Sequence, residues 1–101
     1  MSFLNKLKNI FFGPEPSFYK ELIKNGAVVI DVRTKEEFDA GHLQGSLNIP
    51  IKALKKKAGE LKGKEVVLVC KSGVRAATAK GILNSQRITA HNAGPWTFLN
   101  D

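Results

Sequence analysis

The chain holds a single cysteine among 101 residues, and its neighbours are of kinds that can do chemistry. Cys70 closes the most apolar run, Glu65-Val66-Val67-Leu68-Val69-Cys70, and Lys71-Ser72-Gly73-Val74-Arg75 follows. Gly73 permits a tight turn that a side chain would block. Successive backbone N–H groups in such a turn can converge on one negative centre. A helix starting near Arg75 or Ala76 would aim its positive end the same way. Lys71 and Arg75 add two full positive charges, and the arginine fork can grip an oxyanion. Together these features favour the thiolate, the nucleophilic form of cysteine. Cys70 is therefore the candidate catalytic residue, and Lys71, Ser72, Gly73, Val74 and Arg75 form the candidate substrate-binding loop. The competing reading, an inert core thiol, leaves the basic glycine-containing loop unaccounted for.

Loop length separates two chemistries. A cysteine phosphatase must wrap a whole tetrahedral phosphate, which needs a longer connection than the four residues between Cys70 and Arg75. The shorter cradle suits one terminal sulfur on the cysteine, with N–H donors stabilising a persulfide anion. Sulfur transfer is favoured over phosphate or arsenate chemistry on that ground.

The elements that must position this loop alternate along the chain. Ser17 is a good N-cap for a helix through Ile23, closed by Gly26. Ala27-Val28-Val29-Ile30 reads as a buried strand ending at Asp31. Thr34, with Glu37 three residues on, makes a capping box for a short helix stopped by Gly41. Gly45-Ser46-Leu47-Asn48-Ile49-Pro50 is a short extended stretch. A lysine-rich helix spans residues 51–61, the run ending at Cys70 is a strand, and alanine-rich residues 76–83 are helical. Residues 88–90 form a last strand and 96–99 a last helical turn. Such alternation predicts an α/β domain around a mainly parallel sheet of 4–5 strands with helices on both faces. Ligands of such sheets sit where strand C-termini meet helix N-termini.

Composition is that of one ordinary globular domain: 43% hydrophobic, 25% charged, formal net charge +7. The basic residues are scattered, and Lys55-Lys56-Lys57 reads as a solvated helix face. No aromatic residues interleave with them and no reader motif is present, so nucleic acid is not an expected partner. The positive field suits small anions. One cysteine and two distant histidines offer no metal-ligand spacing, and no cofactor is expected. A lone thiol fits a reducing compartment.

Residues 1–16 read as an appendage, with Phe3, Leu4, Leu7, Ile10 and Phe11 on one helical face ahead of Gly13-Pro14. The apolar run after Lys6 and Lys8 is only Ile10-Phe11-Phe12, short of the roughly 7–15 residues of a signal sequence. No run approaches the ~20 residues of a membrane span. The expected location is cytoplasmic, with residues 17–101 as the domain.

These residues resemble the rhodanese homology domain. Asp31-Val32-Arg33-Thr34-Lys35-Glu36-Glu37-Phe38-Asp39-Ala40-Gly41-His42-Leu43-Gln44-Gly45-Ser46-Leu47-Asn48-Ile49-Pro50 is similar to the family's N-terminal signature. Residues Cys70 to Arg75 are similar to its six-residue active-site loop, and Asn92-Ala93-Gly94-Pro95-Trp96 to its glycine-rich stretch near the C-terminus. The resemblance implies a single rhodanese-like domain and a thiosulfate sulfurtransferase-like enzyme. Cys70 would take sulfur from a small anionic donor such as thiosulfate, held by Lys71 and Arg75. It would pass that sulfur to a thiophilic acceptor, cyanide in vitro or a protein. A monomer is expected. A non-catalytic partner-binding module is the alternative, opposed by the intact cysteine and basic loop. The first motif is read as structural: Asp31 and Arg33 are expected to pair with each other's neighbours, and His42 to be hydrogen-bonded rather than a general base. Ala93-Gly94-Pro95 stands where the family often has Gly-Gly, and is expected to narrow the pocket rim.

Overall fold

The computed structural model describes residues 14–100; the apolar face expected within residues 1–13 lies outside them. The β-branched runs become strands because their side chains can be buried on two faces at once. These are β1 (Val28–Asp31) and β3 (Glu65–Cys70), joined by the short β2 (Leu47–Asn48) and by β4 (Thr89–Pro95). All pair in parallel, in the order β2-β1-β3-β4.

Side-chain alternation divides the core. Ile30, Val66, Leu68 and Cys70 face one side of the sheet, while Val29, Val67 and Val69 face the other. The first side is covered by α3 (Ile51–Lys57), the 3-10 turn Ala58–Leu61 and α4 (Val74–Ser85), through Leu54, Ala58, Leu61, Ala76, Ala79 and Leu83. The second is covered by α1 (Pro16–Lys24) and the 3-10 turn Trp96–Leu99, through Tyr19, Leu22, Ile23, Trp96 and Leu99. A short helix, α2 (Lys35–Ala40), joins β1 to β2. This is the expected α/β domain with helices on both faces.

Three local expectations need correction. Helix α1 starts at Pro16, with Glu15 rather than Ser17 at the cap position. Proline suits the first turn because its missing N–H would have no intrahelical partner there. Helix α4 starts at Val74, because Gly73, at φ +102°, turns the chain immediately before it. The last strand is longer than residues 88–90 and runs to Pro95. Polar and glycine residues such as Asn92 and Gly94 extend alongside β3 because tertiary pairing, with a bulge between Leu68 and Cys70, outweighs their low strand propensity.

The capping box forms as expected. The Thr34 hydroxyl accepts from the Glu37 N–H at 3.2 Å, and the Glu37 carboxylate accepts from the Thr34 N–H at 3.3 Å. Leu68 is fully buried at the centre of the sheet. Leu68→Ala is expected to cost about 2–5 kcal/mol of unfolding free energy through lost burial and the cavity left behind, measured by chemical denaturation.

Candidate active site

Strand order places the site. From β1 the chain moves outward to β2, and from β3 it moves outward the other way to β4. The carboxyl ends of β1 and β3 therefore flank the point where the winding reverses, the place where open parallel sheets leave a crevice. Cys70 is the last residue of β3 and Asp31 the last of β1.

At the end of β1 two charges are buried together. Asp31 is fully buried and Arg33 is 5% exposed. Arg33 Nε donates to both Asp31 oxygens at 2.9 and 3.0 Å, and Nη2 donates to Oδ2 at 2.8 Å. The pair thus closes on itself, rather than on each other's neighbours. A buried carboxylate needs several donors to offset lost hydration, and this arginine alone supplies three contacts besides its own backbone N–H at 3.0 Å. Arg33 also donates to the Gly41 carbonyl at 2.7 Å and lies 5.0 Å over the Trp96 ring, tying the first motif to the last turn. His42 lies exposed, stacked on Phe38, with Nδ1 2.7 Å from the Phe38 carbonyl oxygen. It is hydrogen-bonded as expected.

At the end of β3 the chain turns sharply at Gly73. The Gly73 N–H donates to Cys70 Sγ at 2.8 Å. A Cβ on Gly73 would lie 3.4 Å from Gly94 Cα, so the loop and the glycine turn of β4 meet backbone to backbone. Asn92 fastens the two: its Nδ2 donates to the Gly73 carbonyl at 3.0 Å, and its Oδ1 accepts from the Gly94 N–H at 2.8 Å. The Tyr19 hydroxyl in turn donates to the Asn92 carbonyl at 3.1 Å. Sequence reasoning placed Asn92 only within a glycine-rich stretch; its side-chain role needs the β3–β4 pairing. The first helical bond of α4 runs from Ala77 N–H to the Gly73 carbonyl, leaving the amides of the preceding turn at the helix's positive end.

The loop side chains divide. Cys70 is buried. Lys71 and Ser72 are exposed, and Lys71 forms no ion pair among the described residues. Val74 is 71% exposed at the start of α4. Beside the loop opens a groove of about 730 Å³, lined in part by Ser72, Gly73, Val74, Asn92, Gly94, Pro95 and Phe18. Arg75 is turned toward α2. Its Nη1 and Nη2 donate to Glu37 Oε1 and Oε2 at 2.6 and 3.1 Å, one terminal nitrogen to each oxygen. That bond to Glu37, above all, holds the Arg75 proton more tightly than usual, with weaker attraction from Cys70 and Asp31. The same bond draws the Glu37 carboxyl from 4.5 down to about 2, helped by the donors of Thr34. The sequence marked Glu37 as a capping residue but did not reveal its partner 38 positions away.

The Rhodanese-like domain family matches residues 15–96 of this chain. The chain belongs to that family. It is 36% identical over 69 residues to thiosulfate sulfurtransferase PspE of Escherichia coli, covering 64% of this chain and 66% of that protein. It is 27% identical over 89 residues to a tRNA uridine(34) hydroxylase of Bacillus licheniformis, covering 81% of this chain and 27% of that protein. The chain spans about half or less of several curated relatives it matches, 51% of one and 27% of the hydroxylase. The solved structure described as rhodanese with anions from E. coli superposes with a TM-score of 0.69 at 29% identity, covering 74% of this chain and 93% of that one. No helix among the described residues is long and apolar enough to cross a membrane.

The Glu37–Arg75 pair has a consequence for acid stability. A carboxyl whose folded pKa lies near 2, against 4.5 ordinarily, contributes stability that is complete above pH 4.5 and lost as pH falls toward 2. In Glu37→Gln the decline of Tm across that window is expected to be shallower than in the wild type, read by circular dichroism at a series of pH values.

Proposed function

We propose that this rhodanese-like domain is a sulfurtransferase that carries a sulfane sulfur on Cys70 as a persulfide. The observation that carries the reading is the 2.8 Å contact from the Gly73 N–H to Cys70 Sγ, made by a short basic loop at the crevice between β1 and β3. A donor N–H at that distance stabilises negative charge on sulfur. The PspE and E. coli rhodanese likenesses support the same chemistry.

The Cys70 thiolate attacks the outer sulfur of thiosulfate, so a sulfur–sulfur bond forms on the cysteine. The sulfur–sulfur bond of the donor breaks, and its electron pair leaves with sulfite. The persulfide anion then transfers its outer sulfur to a thiophilic acceptor. With cyanide the products are thiocyanate and the restored thiolate. No redox partner or cofactor enters either step. Ser72, Gly73 and Val74 supply the turn around the sulfur, and Lys71 and Arg75 supply donors to the anion. A protein thiol is the proposed acceptor class in the cell, with the domain acting as a cytoplasmic monomer. The activity is carried by residues 17–101, with Pro16 opening α1 ahead of them.

Intact mass after incubation with thiosulfate is expected to show one added sulfur on the wild type and none on Cys70→Ser. Turnover to thiocyanate is expected to vanish in the mutant while its circular dichroism spectrum stays native. Wild-type turnover by Cys70→Ser would overturn the mechanism. Lys71→Ala removes an exposed positive charge from the loop. It is expected to lower kcat/KM for thiosulfate by roughly 10- to 100-fold, the range of one charge-assisted contact, with Tm unchanged. Unaltered kinetics would exclude Lys71 from donor binding.

A further inference from the structure

The ion pair at the mouth of the loop bears on which donors the site accepts. Arg75 is the second full positive charge of the loop, yet Glu37 meets it with both oxygens on both terminal nitrogens. Glu37 is not a casual partner. Its Oε1 also accepts from the Thr34 N–H and hydroxyl at 3.3 and 3.2 Å, so the capping box of α2 fixes the carboxylate in place. The end-on pairing occupies two of the five N–H groups of a guanidinium. Three remain, so Arg75 can still orient an oxygen, but its net charge toward a donor is largely cancelled. Lys71 is left as the uncompensated positive side chain of the loop.

We infer that Glu37 is a specificity-determining residue for the sulfur donor, one that discriminates against dianionic donors relative to monoanionic ones by offsetting the charge of Arg75. The inference rests on the sulfurtransferase reading and adds a residue to it. Its physical content is Coulombic. A carboxylate near the donor site repels a dianion twice as strongly as a monoanion at the same place. Removing the carboxylate's charge must therefore change the ratio of the two donors by one unit charge–charge interaction. A merely structural role would lower or preserve the use of both donors together.

The test compares thiosulfate with methanethiosulfonate. Both present a terminal sulfane sulfur on a sulfonyl centre, and they differ by one negative charge. In the first case sulfite leaves, in the second methanesulfinate, and either way the product on the protein is the Cys70 persulfide. The ratio of kcat/KM for thiosulfate to that for methanethiosulfonate is measured in the wild type, Glu37→Gln and Glu37→Met, with circular dichroism showing which variants are folded. Either neutral variant suffices. The expected result is a rise in the ratio of roughly 3- to 10-fold, the size of one partly screened unit charge interaction. That gain is expected to shrink as ionic strength increases. Glu37→Asp, which keeps the charge, is expected to hold the wild-type ratio within about twofold. A ratio that stays constant, or falls, in a folded neutral variant overturns the inference while leaving sulfur transfer in place. Failure of both donors to load sulfur on wild-type Cys70, read by intact mass, overturns the sulfurtransferase reading and this inference with it.

Discussion

The parallel pairing of β1 with β3 is the constraint on which the rest of the molecule depends. Val28, Val29, Ile30 and Asp31 lie in register with Val66, Val67, Leu68 and Val69. Parallel strands end on the same side, so the segment after Asp31 and the segment after Cys70 emerge side by side. From there they diverge, one to β2 and the other to β4, and Arg75 of the segment after Cys70 meets Glu37 of the segment after Asp31. An antiparallel arrangement of the same two runs would carry these residues to opposite ends of the sheet.

Two charge pairs with opposite surroundings secure that crevice. Asp31 and Arg33 are shut inside and satisfied by each other and by the backbone, so their role is to hold the β1 end, Gly41 and Trp96 together. Removing either partner would strand an uncompensated buried charge, a far larger penalty than an exposed pair could impose. Glu37 and Arg75 are about one-third exposed, so solvent screens much of what their attraction adds to stability. What they fix is the direction of the Arg75 guanidinium, turned from the loop toward α2. The family's first motif thus supplies both a rigid frame and the carboxylate that holds Arg75.

Asn92 has a comparable double part. A positive φ at Gly73 and at Gly94 lets two backbones approach closely, and one amide side chain spans them with a donor and an acceptor. The loop is held from β4 on one side and from α2, through Glu37, on the other. Preorganisation of this kind is what a site needs if its N–H groups are to meet a charge without first rearranging.

Much of this was present in the sequence. Chain order, the β-branched runs and the capping box at Thr34 and Glu37 are local features, governed by residue type and short spacing, and they determined the α/β class and most element positions. The Cys70-to-Arg75 loop was legible for the same reason, since its turn glycine and its charges lie within six consecutive residues. Most of what tertiary structure alone decided involves partners far apart in the chain. Local sequence presents Arg75 as a free fork, but it is held by Glu37, 38 positions away, because parallel β1 and β3 bring α2 against the first turn of α4. Asn92 became a clamp, and a polar, glycine-containing stretch became strand, because β3 offered an unpaired edge whose hydrogen bonds outweighed local propensity. Asp31 closed on Arg33 because burial demands that a carboxylate find its donors at once, and burial is a property of the folded chain.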